Sequence, residues 1–349
     1  MRILLSADPF IPVPPKLYGG IERIVDALAR YYTKSGHTVG LIAHPESTCA
    51  VDTLFRWPGS QGAFGEVRNT VALATAAGSF RPDLLHSFSR LSYLLPILNN
   101  SLPKVMSYQR HTGGRQIKWA SLFAGPSLKF TGCSEFICKM GRPWGGEWHT
   151  IHNFIELEKL TFVPLVADDA PLLFLSRIES IKGPDIAIEI ARKSGRRLIL
   201  AGNRPESGPE LAFWDQKIAK ELGHGGVEWV GPVDDEQKNR LLGGASALLV
   251  PIQWDEPFGI VFAEALATGT PVITCSRGAT PEIIDEGKTG FFIHNTIDGA
   301  AAVDCIHTLD RSACRSAAEG RFSLESCAQK YLALYQEIMR ETRESSASR

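Results

Sequence analysis

The feature that most constrains this chain is an alternation. Short apolar runs recur along it, separated by glycine- or proline-bearing turns and by stretches with helical spacing. In the first half the runs are Ile3–Ser6, Val39–Ala43, Leu84–Phe88 and Lys104–Tyr108. In the second half they are Leu172–Leu175, Arg197–Ala201, Val227–Val230, Ala247–Pro251, Val272–Cys275 and Gly290–Ile293. Runs this short that are apolar almost throughout read as strands buried on both faces, which belong to parallel sheets. Strands alternating with helices make a doubly wound α/β sheet. The pattern breaks once, at the polar stretch Pro164–Pro171 with its Asp168-Asp169, and then restarts. A chain of 349 residues has room for two such domains, placed at 1–165 and 166–322. Leu324, Cys327, Tyr331, Leu334 and Ile338 keep helical register, so 323–340 is expected to form a helix crossing back to the first domain. The polar residues 341–349 are expected to be a disordered tail, and 45–80 reads as loop-rich.

Composition removes several function classes. A net charge of −1 argues against a nucleic-acid partner. Seven scattered cysteines, an odd number, suit free thiols in a reducing compartment. The N-terminus runs directly into a strand and no apolar run reaches spanning length, so a cytoplasmic location is expected. Peripheral contact with the inner membrane face stays open. The segment Arg115–Phe130 mixes Arg115, Lys118 and Lys129 with Trp119, Phe123 and Phe130. Such a segment can lie on a membrane or grip an anionic acceptor, but an ordinary helix pair covering the sheet is the favoured reading. No Gly-x-Gly-x-x-Gly, Asp-x-Asp or Gly-x-Ser-x-Gly occurs, and Gly287-Lys288-Thr289 lacks the upstream glycine of a P-loop.

The chemistry concentrates in Asp255–Ala267. Pro257 and Gly259 make a turn that opens an apolar helix, with Glu256 just before it and Glu264 inside it. A carboxylate in so apolar a helix is costly unless paired. Glu264 either points out through a thin polar edge or meets a partner such as sugar hydroxyls. Arg177 and Lys182 lie past a strand end, where doubly wound sheets bind ligands, and suit a diphosphate as fork and point charge. Two solvated surface charges are the plainer reading. Gly19-Gly20 opens a helix whose amides can face an anion, and the helix-start amides of Phe258 and Gly259 can do the same. His111, beyond Tyr108-Gln109-Arg110, is either a polar group at a ligand or a surface loop residue.

Several segments together resemble the retaining glycosyltransferases of GT-B fold, the family 4-like and group 1 glycosyl transferases. These are Pro14–Arg23 with its glycine loop, Ser35–Val39, Ser176-Arg177-Ile178 with Lys182-Gly183, Glu256–Glu264, Gly269–Ile273 and Pro281–Gly290. The resemblance implies two Rossmann-like domains facing a cleft, with a nucleotide-diphosphate sugar held mostly by the second. It implies that Arg177 and Lys182 neutralise the diphosphate, that Glu264 holds the ribose, and that Glu256 with the Phe258 and Gly259 amides holds the transferred sugar. Gly19, Gly20, Gly202 and Val233 join the donor contacts. The implied function is transfer of a hexose from a UDP- or GDP-linked donor to a hydroxyl of a glycan, lipid-linked or small-molecule acceptor. No metal and no cofactor is implied beyond the sugar nucleotide itself. Two segments depart from the family pattern. Gln109 stands where a histidine is common, leaving Gln109, Arg110 and His111 as contenders for the first domain's sugar or acceptor contact. Asn153-Phe154-Ile155-Glu156 lacks the usual glycine. Two alternatives remain: a nucleotide-sugar epimerase or phosphorylase on this fold, and a non-catalytic sugar-nucleotide-binding module.

Overall fold

A computed structural model describes residues 1–16, 19–59 and 62–347. The chain divides into two compact units, Met1–Asn153 with Leu324–Arg349, and Phe154–Ser323. The division falls earlier than residue 165. Ile155 bridges Ser323, the Thr161 amide donates to Asn239 Oδ1 (2.9 Å), and the Val163 amide donates to the Thr268 carbonyl (3.0 Å). All of these partners belong to the second unit.

The first unit contains β1 (Arg2–Ser6), α1 (Gly20–Lys34), β2 (Thr38–Ala43), β3 (Thr53–Arg56), α2 (Gly62–Phe80), β4 (Leu84–Ser87), β5 (Lys104–Tyr108), α3 (Arg115–Ala124), β6 (Leu128–Gly132), α4 (Glu135–Gly141) and β7 (Trp148–Thr150). The strands form a parallel sheet in the order β3-β2-β1-β4-β5-β6-β7. Winding therefore runs outward both ways from the β1/β4 pair. The inner strands are buried along all but a terminal residue, Arg2 of β1 and Tyr108 of β5, which is why they read as nearly unbroken apolar runs.

Two segments here differ from expectation. The region 45–80 holds β3 and the 19-residue α2. Its run of alanine, glycine and threonine has little apolar contrast between faces, so helical period is faint there. The favoured helix pair over 115–130 is also wrong. α3 ends at Ala124, a short 3-10 turn follows over Gly125–Ser127, and Leu128–Gly132 is strand β6.

The second unit contains β8 (Leu172–Leu175), α5 (Pro184–Lys193), β9 (Leu198–Ala201), α6 (Gly208–Phe213), β10 (Val227–Trp229), α7 (Asp235–Gly244), β11 (Ala247–Val250), α8 (Ile260–Ala267), β12 (Val272–Thr274), α9 (Thr280–Ile283), β13 (Gly290–Phe292), α10 (Thr296–Cys305) and α11 (Arg311–Phe322). Its parallel sheet has the order β10-β9-β8-β11-β12-β13, reversing at β8/β11. Buried Arg311 knits it together. Its guanidinium donates to the carbonyls of Val163 (2.7 Å), Ala245 (3.0 Å) and Gly243 (2.9 Å) and to Thr270 Oγ1 (3.0 Å).

The last helix, α12 (Leu324–Ala347), belongs to the first unit. It runs through most of the stretch expected to be a disordered tail. Glu337 and Glu341 explain why, since both carboxylates bind the buried ammonium of Lys129 on β6, at 2.7 and 2.9 Å. Thr342 is likewise buried. Ser348 and Arg349, the end of that stretch, lie outside the described residues. A second set of polar contacts binds α12 to the sheet. His86 on β4 bonds the Tyr335 hydroxyl through Nδ1 (2.5 Å) and Ser107 Oγ through Nε2 (2.6 Å). Tyr335 in turn meets Tyr32 of α1 (3.1 Å). No helix among the described residues is long and apolar enough to cross a membrane.

Candidate functional site

In an open parallel sheet the crevice forms where the strand order reverses, beyond the carboxyl ends of the strands. In the second unit that point lies between β8 and β11. The loop after β8 carries Arg177 and Lys182, and the loop after β11 carries Trp254, Glu256 and Phe258. The sheet order thus brings together two segments over seventy residues apart: Lys182 Nζ lies 2.7 Å from Glu256 Oε2, a separation of 74 positions. Both side chains are close to nine-tenths buried.

The two expected ligand contacts are therefore partners of each other in this structure. Trp254, which sequence reasoning passed over, joins them. Its indole N–H donates to the same Glu256 oxygen (3.0 Å), and its ring lies 4.6 Å from the Lys182 ammonium. Its signal was available, two residues before Glu256. Two glycines hold this arrangement. Gly183, after Lys182, has φ 72°, and a Cβ there would lie 2.2 Å from the Pro251 carbonyl oxygen. Gly278, after β12, has φ 60°, and a Cβ would lie 2.4 Å from the Glu256 carbonyl oxygen. That carbonyl accepts the Ala279 amide (2.8 Å), fixing the Glu256 backbone from below.

Arg177 is half exposed and its guanidinium bonds Glu179 (2.5 Å). Glu264 has a protein partner that the sequence did not suggest. Lys238 on α7 reaches its Oε1 at 2.5 Å, and both side chains are about four-fifths buried. Neither of the two earlier readings of Glu264 included such a pair. Gly259 is the residue before α8, and its φ of 88° turns the chain into that helix without a side-chain cap. The first amides of any helix lack intrahelical partners, so this end presents donors. Phe258 packs edge-on against Phe322 (5.7 Å) and is buried, so its ring is structural. Gly202 follows β9, but its amide already donates to the Gly231 carbonyl (2.8 Å) and its carbonyl accepts the Trp229 indole (3.0 Å). Val233 is half-buried in the loop before α7.

In the first unit the loops after β1, β4 and β5 meet at the corresponding reversal. Gly19 precedes α1 and Gly20 begins it; Leu17 and Tyr18 of the same glycine loop lie outside the described residues. Gln109, just after β5, has both side-chain amide atoms enclosed with no hydrogen-bond partner among the described residues. A buried unpaired amide is rare and marks a place where a ligand or water completes the bonding. Arg110 and His111 are exposed, and the His111 ring meets Phe136 edge-on at 5.6 Å. Two acids here escaped the sequence reading. Asp8 stands two residues past β1 and Glu22 lies in the first turn of α1. Burial raises the pKa of both, partly countered for each by Arg110. An acid immediately after a strand was the missed signal.

Two units of this strand order, each with its polar groups at the carboxyl edge of the sheet, make a GT-B fold. The family comparison says the same. Residues 18–159 match Glycosyltransferase Family 4 and residues 159–313 match Glycosyl transferases group 1, so the chain belongs to the GT-B glycosyltransferases. Among curated relatives, a D-inositol 3-phosphate glycosyltransferase of Nocardioides sp. is 32% identical over 204 residues. That match covers 52% of this chain and 44% of the relative, so the chain spans under half of that protein's length. Among solved structures, AviGT4, a glycosyltransferase involved in avilamycin A biosynthesis, aligns with a TM-score of 0.72 at 24% identity, over 97% of this chain and 98% of its own. Anabaena HepE in complex with UDP and glucose aligns with a TM-score of 0.73 at 19% identity, over 97% of this chain and 100% of its own. At those identities the likeness is one of fold.

Proposed function

We propose that the chain is a retaining, metal-independent hexosyltransferase that moves a sugar from a nucleotide-diphosphate donor to an acceptor hydroxyl. The observation that carries this reading is the Lys182–Glu256–Trp254 cluster at the reversal point of the second sheet. A buried cation and a buried carboxylate, both on strand-end loops, are arranged for a ligand with an anionic end and a hydroxyl-rich end. One of the three Lys182 ammonium hydrogens engages Glu256, which leaves two for diphosphate oxygens. Arg177 supplies a planar fork for the same group. Glu256 retains acceptor positions for sugar hydroxyls, and Glu264, held by Lys238, retains them for the ribose.

Cleavage of the sugar–phosphate bond builds negative charge on the diphosphate, and fixed cations with helix-start amides stabilise it. The bond from the anomeric carbon to the phosphate oxygen breaks, the bond to the acceptor oxygen forms on the same face, and the departing phosphate oxygen takes the acceptor's proton. The complexes of HepE support a UDP-linked hexose as donor. Gln109, with its unpartnered amide, supports a sugar or acceptor contact in the first unit.

Arg177→Ala should lower kcat/KM by about 100-fold or more while shifting the melting temperature little. Lys182→Met should lower it as much and also destabilise the fold by about 3 kcal/mol, because it leaves the buried Glu256 carboxylate without its cation. Near-normal turnover in both would remove the diphosphate role. Incubating labelled donor without acceptor separates an epimerase, which converts the free donor. Donor binding without turnover against any acceptor would favour a binding module.

A further inference from the structure

Helix α3 is built inside out. Its buried residues are Ile117, Ala120 and Ala124, at i, i+3 and i+7. Its outward stripe is Arg115, Lys118, Trp119, Leu122 and Phe123, at i, i+3, i+4, i+7 and i+8. Trp119, Leu122 and Phe123 are 56%, 69% and 63% exposed. The rings of Trp119 and Phe123 stack on each other with centroids 6.1 Å apart, so the stripe is an ordered apolar surface. A surface helix normally turns its large apolar side chains inward. This one turns an isoleucine and two alanines inward and a tryptophan, a leucine and a phenylalanine outward. Packing within the first unit does not account for that choice.

The charge around the stripe indicates what covers it. From Leu84 to Ser134 the chain has no aspartate or glutamate. Of the six cations there, Lys129 is matched by Glu147, Glu337 and Glu341, Arg90 by Glu66, and Lys104 is buried against backbone carbonyls, so the basic charge of the outer face rests on Arg115 and Lys118. Arg115 and Lys118 lie on the stripe itself, without an ion-pair partner among the described residues. The acids of α12 that come near, Glu337 and Glu341, are bound to Lys129. The hollow beside Leu122 and Phe123 is walled on its far side by polar groups, Asn99, Asn100, Ser101 and Thr342, so this hollow is not an apolar groove for a partner helix. A short basic helix with tryptophan, leucine and phenylalanine on one exposed face fits the boundary between lipid headgroups and acyl chains.

We infer that α3 docks the protein on an anionic lipid bilayer. Trp119, Leu122 and Phe123 enter the interface, and Arg115 and Lys118 meet lipid phosphates. The inference does not depend on the transfer reaction.

The test is co-sedimentation of the full chain with vesicles of phosphatidylcholine alone and of phosphatidylcholine with roughly one third phosphatidylglycerol. Binding is expected to the anionic vesicles, weakening as salt rises. Trp119→Ser with Phe123→Ser should lower the partition coefficient about 10-fold or more. Arg115→Gln with Lys118→Gln should lower it about 10-fold and flatten the salt dependence. These side chains are exposed, so unchanged melting curves and unchanged transfer to a soluble acceptor are expected of both variants. Absence of wild-type binding to anionic vesicles at low salt overturns the inference, as does equal binding by both variants. A lipid-free dimer in sedimentation velocity that Leu122→Asp dissociates would also overturn it, because a second copy would then cover the stripe.

Discussion

His86 is the most quantitative handle on the first unit. It is fully buried on β4, with both ring nitrogens bonded to hydroxyls, Tyr335 on α12 and Ser107 on β5. A neutral imidazole suits those partners, because each hydroxyl can donate or accept. Burial pushes its pKa from 6.5 down to about 3. The folded value is the lower one, so below pH 6.5 the unfolded chain takes up a proton that the folded chain refuses. Stability from this site is complete above pH 6.5 and declines by about 1.4 kcal/mol per pH unit as pH falls towards 3. Between pH 7.5 and 5 the loss is about 2 kcal/mol. Asp8 and Glu22 act in the opposite sense, since their pKa values are raised on folding. The comparison must therefore be between wild type and His86→Gln. The variant loses hydrogen bonds at all pH values but does not titrate. Urea unfolding, followed by amide exchange in peptides from β4 and α12, should show the wild type's advantage shrinking by about 2 kcal/mol from pH 7.5 to 5. A difference that stays flat across that range, or an imidazole NMR signal titrating near 6.5, would refute the reasoning.

Three further outcomes follow from the second unit. Trp254→Phe keeps a ring beside Lys182 but removes the indole hydrogen bond to Glu256; kcat/KM in a transfer assay should fall about 10-fold with the melting temperature nearly unchanged, and wild-type kinetics would show that the bond does not matter. Arg311→Met leaves three backbone carbonyls and Thr270 without their donor, and should cost about 3 kcal/mol in urea unfolding. Gly183→Ala places a Cβ against the Pro251 carbonyl at a positive φ and should cost about 2 kcal/mol while weakening donor binding, measured by calorimetry, because Lys182 is the adjacent residue.

Residues near each other in sequence carried most of the fold. Each buried strand is a local run of apolar side chains, and each strand-end loop is punctuated by glycine or proline, so the α/β alternation could be read directly. The elements that escaped show the limit of that signal. α2 is rich in small residues, and its two faces differ too little in polarity for a period to stand out. The end of α12 reads as a polar tail because its ordering depends on Lys129, which lies over two hundred residues earlier.

The candidate site divides in the same way. Glu256, Glu264, Arg177 and Lys182 were recognisable because ionisable groups beside buried strands and helices need partners. Which partners they take was settled only by the reversal of strand order at β8/β11 and by the placing of α7 beside α8. Those features bring Lys182 to Glu256 and Lys238 to Glu264. Sequence determined that charges would stand at the strand ends, since burial energy is local to each segment. Tertiary structure decided how they pair, because attraction between charges depends on distance in space, which separation along the chain does not encode.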